Sequence, residues 1–180
     1  MPTVWDQVFP ITVKEEGGLS MVRSDKGNWT GGAVGVGELR GTKYGLSAAA
    51  YPTLPIAELT LDEVKPIYFR DYFVAGHCNM VVGPVAALMF DAAVNNGPGR
   101  PARWLQQSLQ VVQDGVIGPR TQATLARRYA ADPAATLAAF QAIRFRFMLD
   151  LPTWDENPGW LTRLLEVPLM AVRVSDRDTP

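Results

Sequence analysis

Apolar residues recur at intervals of three and four along much of the chain, the spacing that places side chains on one face of an α-helix. The first such stretch covers part of residues 4–15, contains Pro10 as a predicted kink, and ends at Gly17-Gly18. The second begins at Thr60 and Glu63, which have the form of a capping box. Alternating patterns typical of strands are scarce, so we predict a mostly α fold.

A third stretch, residues 84–96, is apolar nearly all round, which is typical of a helix buried on every side. We predict it to be the central helix of the fold, with Pro84 at its first turn and Gly97 as its stop. After the break at 97–99, four further helices are predicted, most with a proline at or next to the start. They cover about residues 101–111, 119–130, 132–149 and 158–172.

Residues 19–47 have a different composition, rich in glycine, serine and threonine. Such a composition favours turns, with room for a short hairpin. This segment is expected to form a loop-rich face beside the helical cluster.

The length of 180 residues fits one compact domain, or a small catalytic lobe with a helical appendix. A net charge near −1 provides no basic field for nucleic acid, which we exclude as a partner. The single cysteine, Cys78, cannot form an internal disulfide, and with a single histidine it offers no usual metal-ligand set. We expect no metal, no cofactor and a monomer.

The first residues lack the basic and apolar regions of a signal peptide, and no run of about 18 apolar residues indicates membrane insertion. We therefore expect synthesis in the cytoplasm.

Two carboxylates stand close in sequence where a helix gives way to the glycine-rich segment. Glu16 follows the first helical stretch, and Asp25 lies nine residues later. A glycosidase needs one carboxylic acid that donates a proton to the leaving oxygen, and a second group that holds water or stabilises the transition state. Position alone leaves open whether Glu16 is such an acid or an ordinary solvated residue at a helix end.

Six segments of this sequence, taken in order, resemble the corresponding segments of glycoside hydrolase family 108. The family comprises N-acetylmuramidases found as phage endolysins and related bacterial proteins, with a C-terminal part described as peptidoglycan-binding. The resemblance covers about residues 10–170. The segments are Glu16-Gly17-Gly18-Leu19-Ser20, Asp25-Lys26-Gly27, Thr42-Lys43-Tyr44-Gly45-Leu46-Ser47, Phe90-Asp91-Ala92-Ala93-Val94-Asn95-Asn96-Gly97, Trp104-Leu105-Gln106 and Asp114-Gly115-Val116-Ile117-Gly118-Pro119-Arg120-Thr121.

The resemblance implies a lysozyme-like helical cluster in which Glu16 is the general acid. It also implies a catalytic region at residues 1–97 and a peptidoglycan-binding-like region at 98–174 packed on it as one compact unit. The last residues, 175–180, are polar, which predicts a frayed tail. The substrate would be the glycan strand of peptidoglycan, cut at the β-1,4 bond between N-acetylmuramic acid and N-acetylglucosamine.

A looser likeness to small phage lysozymes implies catalytic roles for Asp25 and Thr42. Those proteins have the threonine only a few residues after the aspartate, whereas this chain inserts residues 28–40 between them. By spacing alone, Thr30 is a rival for the water-positioning role.

Other candidates have two interpretations each. Tyr44 either stacks on a sugar or closes the loop against the core, and Asn95 and Asn96 either bind N-acetyl groups or stop a helix. Asp91 is expected to be a structural partner inside the helix cluster, and Cys78 with His77 a core pair.

A short segment, three tryptophans and four arginines of the second half also each have a structural and a functional interpretation. Residues 114–121 predict a turn followed by a helix start, a structural role. Trp104, Trp154 and Trp160 are expected to fill the core rather than bind carbohydrate. A set of arginines is interpreted as one surface that attracts anionic wall polymer; these are Arg144, Arg146, Arg163 and Arg173.

The sequence therefore predicts an endolysin that reaches the cell wall through a phage holin or another release route. The alternative is a non-catalytic wall-binding or secretion-associated module with the same fold.

Overall fold

The computed structural model describes residues 2–13 and 18–175. Its seven helices in those ranges are α1 (Val4–Val13), α2 (Leu61–Tyr68), α3 (Gly83–Asn96), α4 (Pro101–Leu109), α5 (Pro119–Ala131), α6 (Pro133–Leu149) and α7 (Gly159–Ala171). One short hairpin joins strands β1 (Thr42–Lys43) and β2 (Leu46–Ser47). This confirms the mostly α fold.

The chain divides into two compact units. The helical unit comprises Met1–Ile11 and Phe69–Pro180, and the hairpin unit comprises Thr12–Tyr68. Helix α3 belongs to the same unit as α4 to α7, and the division at residue 97 remains a prediction from sequence.

Helix α3 is the centre of the helical unit, as its sequence indicates. All of its residues from Gly83 to Ala93 are buried, and α4, α6 and α7 pack around it. Its small side chains allow neighbouring helices to approach closely. At its end Gly97 has a φ of 88°, a conformation that favours glycine.

Local signals set the starts of the helices. The Asp132 carboxylate accepts a hydrogen bond from the Ala135 N–H at 2.8 Å and so caps α6. At α2 the Glu63 carboxylate accepts from the Thr60 N–H at 2.8 Å, which confirms the capping box. The predicted bounds of α4 to α7 agree with the structure to within two residues.

One helix departs from prediction. The apolar pattern after Thr60 continues through Tyr68, but the backbone then widens into a π-helical turn, Phe69–Val74. The rings of Phe69 and Phe73 stack at 5.6 Å between centroids, and both lie against Trp5 of α1. This aromatic cluster joins the start of the chain to the segment that follows α2.

The arginines interpreted as one surface do not form one. Arg144 is 1% exposed and lies 2.6 Å from the carboxylate of Asp91, itself fully buried in α3. Arg163 of α7 reaches the other oxygen of that carboxylate at 2.8 Å. The surface interpretation is therefore wrong for Arg144 and Arg163, because a buried carboxylate requires charged partners. The structural role expected for Asp91 is confirmed.

Burial also affects the titration of Arg144. Desolvation lowers the pKa of the Arg144 guanidinium, and the charge of Asp91 opposes that shift. The cluster connects α3 to α6 and α7, so it fixes the arrangement of three helices.

Candidate active site

Glu16, the expected general acid, lies outside the described residues. The structure therefore bears on its predicted partners, Asp25 and Thr42, which both belong to the hairpin unit.

Asp25 begins a short 3-10 turn, Lys26–Asn28. Its Oδ1 accepts a hydrogen bond from the Gly27 N–H at 2.8 Å, which fixes the orientation of the side chain. The residue is exposed, and its Oδ2 makes no hydrogen bond to any described residue. An exposed carboxylate held in one orientation can accept a proton from water or stabilise a nearby cation.

Asn28, at the end of that turn, connects Asp25 to Thr42. The Asn28 side chain is fully buried; its amide donates to the Val22 carbonyl at 3.0 Å, and its Oδ1 accepts from the Thr42 hydroxyl at 2.7 Å. A buried amide with both ends satisfied is a rigid connector. Sequence reasoning missed this residue because an asparagine in a glycine-rich segment is typical of any turn.

The insertion between Asp25 and Thr42 folds back on itself. Trp29 and Leu39 form an isolated β-bridge, and the N–H groups of Arg40 and Gly41 both donate to the Asn28 carbonyl at 3.0 Å. The two ends of the insertion therefore meet. Thr42 reaches the Asp25 turn despite the extra residues in sequence.

Thr30, the rival by spacing, belongs to this folded-back loop. Its hydroxyl accepts a hydrogen bond from the Glu38 N–H at 2.9 Å, and its own N–H donates to the Glu38 carbonyl. Thr30 thus has a structural role in the loop, whereas Thr42 is the threonine joined to the Asp25 turn.

Strand pairing fixes the backbone of Thr42 on both sides. It pairs with Ser47 in the hairpin, and it exchanges two backbone hydrogen bonds with Ser20 at 2.8 and 2.9 Å. The close approach at Gly41 explains the glycine there, since a Cβ would lie 2.5 Å from the Ser20 carbonyl oxygen. Because the Thr42 hydroxyl donates to Asn28, its lone pairs remain available to accept from a water molecule.

Tyr44 occupies the tight turn between β1 and β2. Tyr44 and Gly45 both have positive φ, 49° and 73°, as in the two-residue hairpin turns that favour Asn-Gly. The Tyr44 carbonyl accepts from the Tyr68 hydroxyl at 2.6 Å, and the Lys43 ammonium lies 5.3 Å from the Tyr44 ring centroid. The ring itself is half-buried. A tyrosine in this strained position is consistent with a use for its ring.

Replacing Tyr44 with asparagine is expected to separate stability from binding. Asparagine tolerates the left-handed conformation better than tyrosine, so the free energy of unfolding should stay level or rise by up to about 1 kcal/mol. Loss of the ring should weaken binding of glycan oligomers about threefold or more if the ring stacks on a sugar. Urea unfolding and calorimetric titration measure the two effects. Unchanged affinity would leave Tyr44 with a purely structural role.

A crevice of about 420 Å³ opens on the hairpin unit next to β1, a size within the range of small-ligand sites. Its lining combines apolar residues, among them Leu39 and Ile56, with two charged ones, Arg40 and Glu58. The Arg40 guanidinium is held by Glu38 and by the Pro52 carbonyl.

Asn95 and Asn96 belong to the helical unit, and both amides already have partners there. The Asn95 amide donates to the Asp91 carbonyl at 2.8 Å. The Asn96 Oδ1 accepts from Arg144, and its amide donates to the Met148 sulfur. These contacts tie the end of α3 to α6, and the substrate-binding role of the two asparagines remains a prediction from sequence.

The second half of the chain uses its motif residues structurally, as predicted. The buried Gln106 amide donates to Asp114 at 2.6 Å, and the Val116 N–H donates to the same carboxylate oxygen at 2.8 Å. The hydrogen bond from the Val116 N–H, and to a smaller extent the one from Gln106, lowers the pKa of Asp114. Trp104 is buried against Phe147, with ring centroids 5.1 Å apart, as expected for a core residue.

Potential metal ligands are scattered over the part of the chain that the structure describes, without a group of three that could hold an ion. Cys78 is fully buried, and burial raises the pKa of its thiol, whereas His77 is half-buried. Among the described helices, none combines the length and hydropathy needed to cross a membrane.

Comparisons with known proteins agree with the resemblance noted in the sequence. Residues 9–97 match the model for glycosyl hydrolase 108, and residues 100–164 match the model for a predicted peptidoglycan domain. Among solved structures, the chain is similar to SagA of Brucella abortus, with 25% identity, 98% of each chain covered and a TM-score of 0.76. No curated protein matches the chain.

Proposed function

Residues 9–97 belong to the glycosyl hydrolase 108 family, and from this premise we propose that the chain is an N-acetylmuramidase with Glu16 as its general acid. The protein is a glycoside hydrolase of the lysozyme kind. The match of residues 100–164 to a predicted peptidoglycan domain supports peptidoglycan as the substrate. The proposed bond is the β-1,4 linkage between N-acetylmuramic acid and N-acetylglucosamine.

In the proposed reaction, Glu16 donates its proton to the glycosidic oxygen as the bond to the anomeric carbon breaks. Asp25 assists the attacking water or stabilises the positive charge that develops on the sugar. The water oxygen bonds to the anomeric carbon, and its released proton restores the acid over the full cycle.

The observation that supports a role for Asp25 and Thr42 together is their link through Asn28. Asn28 ends the turn that Asp25 caps, and its Oδ1 accepts a hydrogen bond from the Thr42 hydroxyl at 2.7 Å. This orientation leaves the Thr42 oxygen as an acceptor for a water molecule. Asn28 acts in this proposal as a positioning residue.

The biological setting proposed is that of an endolysin. The chain would be made in the cytoplasm and reach the wall through a holin or another release route. The domain at residues 100–164 would keep the enzyme on its polymeric substrate between cleavages. The same domain supports the second candidate, a wall-binding module without turnover, against which the intact Glu16-Gly17-Gly18 motif argues.

Digestion of purified peptidoglycan distinguishes these candidates. Mass spectrometry after borohydride reduction should find reduced N-acetylmuramic acid at the ends of the released fragments. Reduced N-acetylglucosamine ends would mean that the other glycosidic bond is cut. If no fragments are released while the protein still sediments with the wall, the binding module is supported and the muramidase proposal is rejected.

A further inference from the structure

Helix α7 carries apolar residues on two faces. Leu164, Val167 and Ala171 are buried in the helical unit, as expected for its inner face. A second row remains open to solvent: Leu161 is 44% exposed, Leu165 62%, Leu169 66% and Val172 60%. Their spacing of four, four and three residues forms a continuous ridge along the helix. A surface helix normally presents polar side chains on its outer face, so this ridge requires an explanation.

A groove of about 470 Å³ accompanies the ridge, between α6 and α7. Its α6 wall holds a row of small residues, Ala134, Ala138 and Ala142, with Phe145 beyond them. None of its lining residues is charged, and the one polar side chain, Gln141, donates its amide to the Leu164 carbonyl at 2.7 Å. The helical unit therefore presents a leucine ridge directly beside an alanine groove.

We propose that a second copy of this chain covers the groove, related to the first by a two-fold axis. A two-fold contact requires a surface that is complementary to itself, and a ridge beside a groove satisfies that requirement. The leucine ridge of one copy would lie along the groove of the other, between that copy's alanine row and its own leucine ridge, in the ridge-into-groove packing of helix pairs.

The spacing of the ridge fixes the register of the pairing. Leu161 and Leu169 lie at equal distances in sequence on either side of Leu165. With the two α7 helices antiparallel, Leu165 meets its own copy, and Leu161 meets the second copy's Leu169. The four helices, α6 and α7 from each copy, would form an antiparallel bundle.

Charges at the ends of α7 match this register. Exposed Arg173 follows the helix, and exposed Asp155 and Glu156 precede it. Antiparallel pairing places Arg173 level with residue 157 of the second copy, beside both acidic residues. The two-fold symmetry repeats this attraction between Arg173 and the acidic residues at the other end of the helix pair. The two attractions together favour antiparallel over parallel association.

The size and charge of the face favour a protein copy over a lipid surface. A 13-residue helix is about 20 Å long and about 10 Å wide. Burying the faces of α6 and α7 on both copies removes on the order of 1,000 Å², the lower bound for a specific interface. The exposed polar residues of α7 and its end, Thr162, Glu166 and Arg173, lack the cationic excess of a helix that binds membranes.

The proposed dimer is an alternative to the monomer expected from sequence, and the mass of the protein in solution distinguishes the two. It would also carry two peptidoglycan-binding domains, and two linked binding sites hold a polymeric ligand longer than one.

Light scattering after gel filtration measures the mass of the full chain at 5 to 200 µM and so tests for the dimer. Co-sedimentation with multilamellar anionic vesicles is a separate test for lipid binding. The expected mass at the upper concentration is about twice 19.7 kDa. Leu165→Glu should yield a monomer. At a concentration below the Kd of the wild-type dimer, its thermal stability should match that of wild type, because this side chain is exposed in the monomer. Val112→Glu is the matched control, since Val112 is similarly exposed on a loop and should leave the dimer intact.

A charge exchange tests the register. Arg173→Glu should weaken the dimer about tenfold in Kd, and adding Asp155→Arg and Glu156→Arg to that variant should restore it. A wild-type monomer at 200 µM overturns the proposal, as does a Leu165→Glu chain that still dimerises. Failure of the exchange to restore the dimer overturns the antiparallel register. Vesicle binding that Leu165→Glu abolishes, in a monomeric wild type, would assign the ridge to lipid instead.

Discussion

Glu16→Gln is expected to lower the rate of peptidoglycan hydrolysis by about a hundredfold to ten-thousandfold. Glutamine keeps the size of the side chain but carries no acidic proton, so the leaving oxygen departs without general acid catalysis. The affinity for the wall should change little, because the domain at residues 100–164 remains intact. Release of reducing sugar ends from purified peptidoglycan measures the rate, and co-sedimentation with the same material measures binding.

The neighbouring residue supplies the matched control. Glu15 precedes the Glu16-Gly17-Gly18 motif, and Glu15→Gln makes the same chemical change one position earlier. We expect Glu15→Gln to retain activity within about a factor of two. Full activity in Glu16→Gln would remove Glu16 as the acid. Equal losses in both variants would point to a general effect on this segment rather than to a proton donor.

The helices could be predicted closely because their signals are local. A proline at the start, an Asp132 cap or a Gly97 stop acts on its own neighbours in sequence, whatever the rest of the chain does. The π-helical turn at Phe69–Val74 has no such signal. Its rings pack on Trp5, more than sixty residues away in sequence, and a pattern within one stretch does not contain that contact.

The candidate site shows the same division between local and distant effects. Asp25 lies in a turn that composition predicts, whereas its connection to Thr42 depends on an insertion whose ends meet at Asn28. Spacing along the sequence made Thr30 a rival to Thr42, because counting residues assumes that a loop extends rather than closes on itself. The β-bridge between Trp29 and Leu39 invalidates that assumption.

Charged residues were the least predictable group. Arg144 and Arg146 are two positions apart on one helix, and composition treats them alike. The structure buries Arg144 beside Asp91 and leaves Arg146 exposed. Residues at positions i and i+2 point to different faces of a helix. The location of the Asp91 carboxylate on α3 decides which of the two arginines is buried.

Asp91→Asn is expected to reduce the free energy of unfolding by about 3 to 5 kcal/mol, the cost of removing one partner from a buried ion pair. The change leaves Arg144 and Arg163 inside the helical unit without the carboxylate that compensates them. Urea unfolding followed by circular dichroism measures the loss. Asp150→Asn is the control, since Asp150 is exposed and its replacement should alter stability by less than about 0.5 kcal/mol.

This prediction also separates structural from catalytic aspartates. Asp91 lies within the residues that match the family model, so a loss of activity in Asp91→Asn is open to misinterpretation as loss of a catalytic group. If the role is structural, activity per folded molecule should remain near that of wild type at low temperature, and should fall only as the variant unfolds. A folded Asp91→Asn chain without activity would contradict this assignment. An equally stable variant would show that the buried cluster contributes no net stability to the packing of α3, α6 and α7.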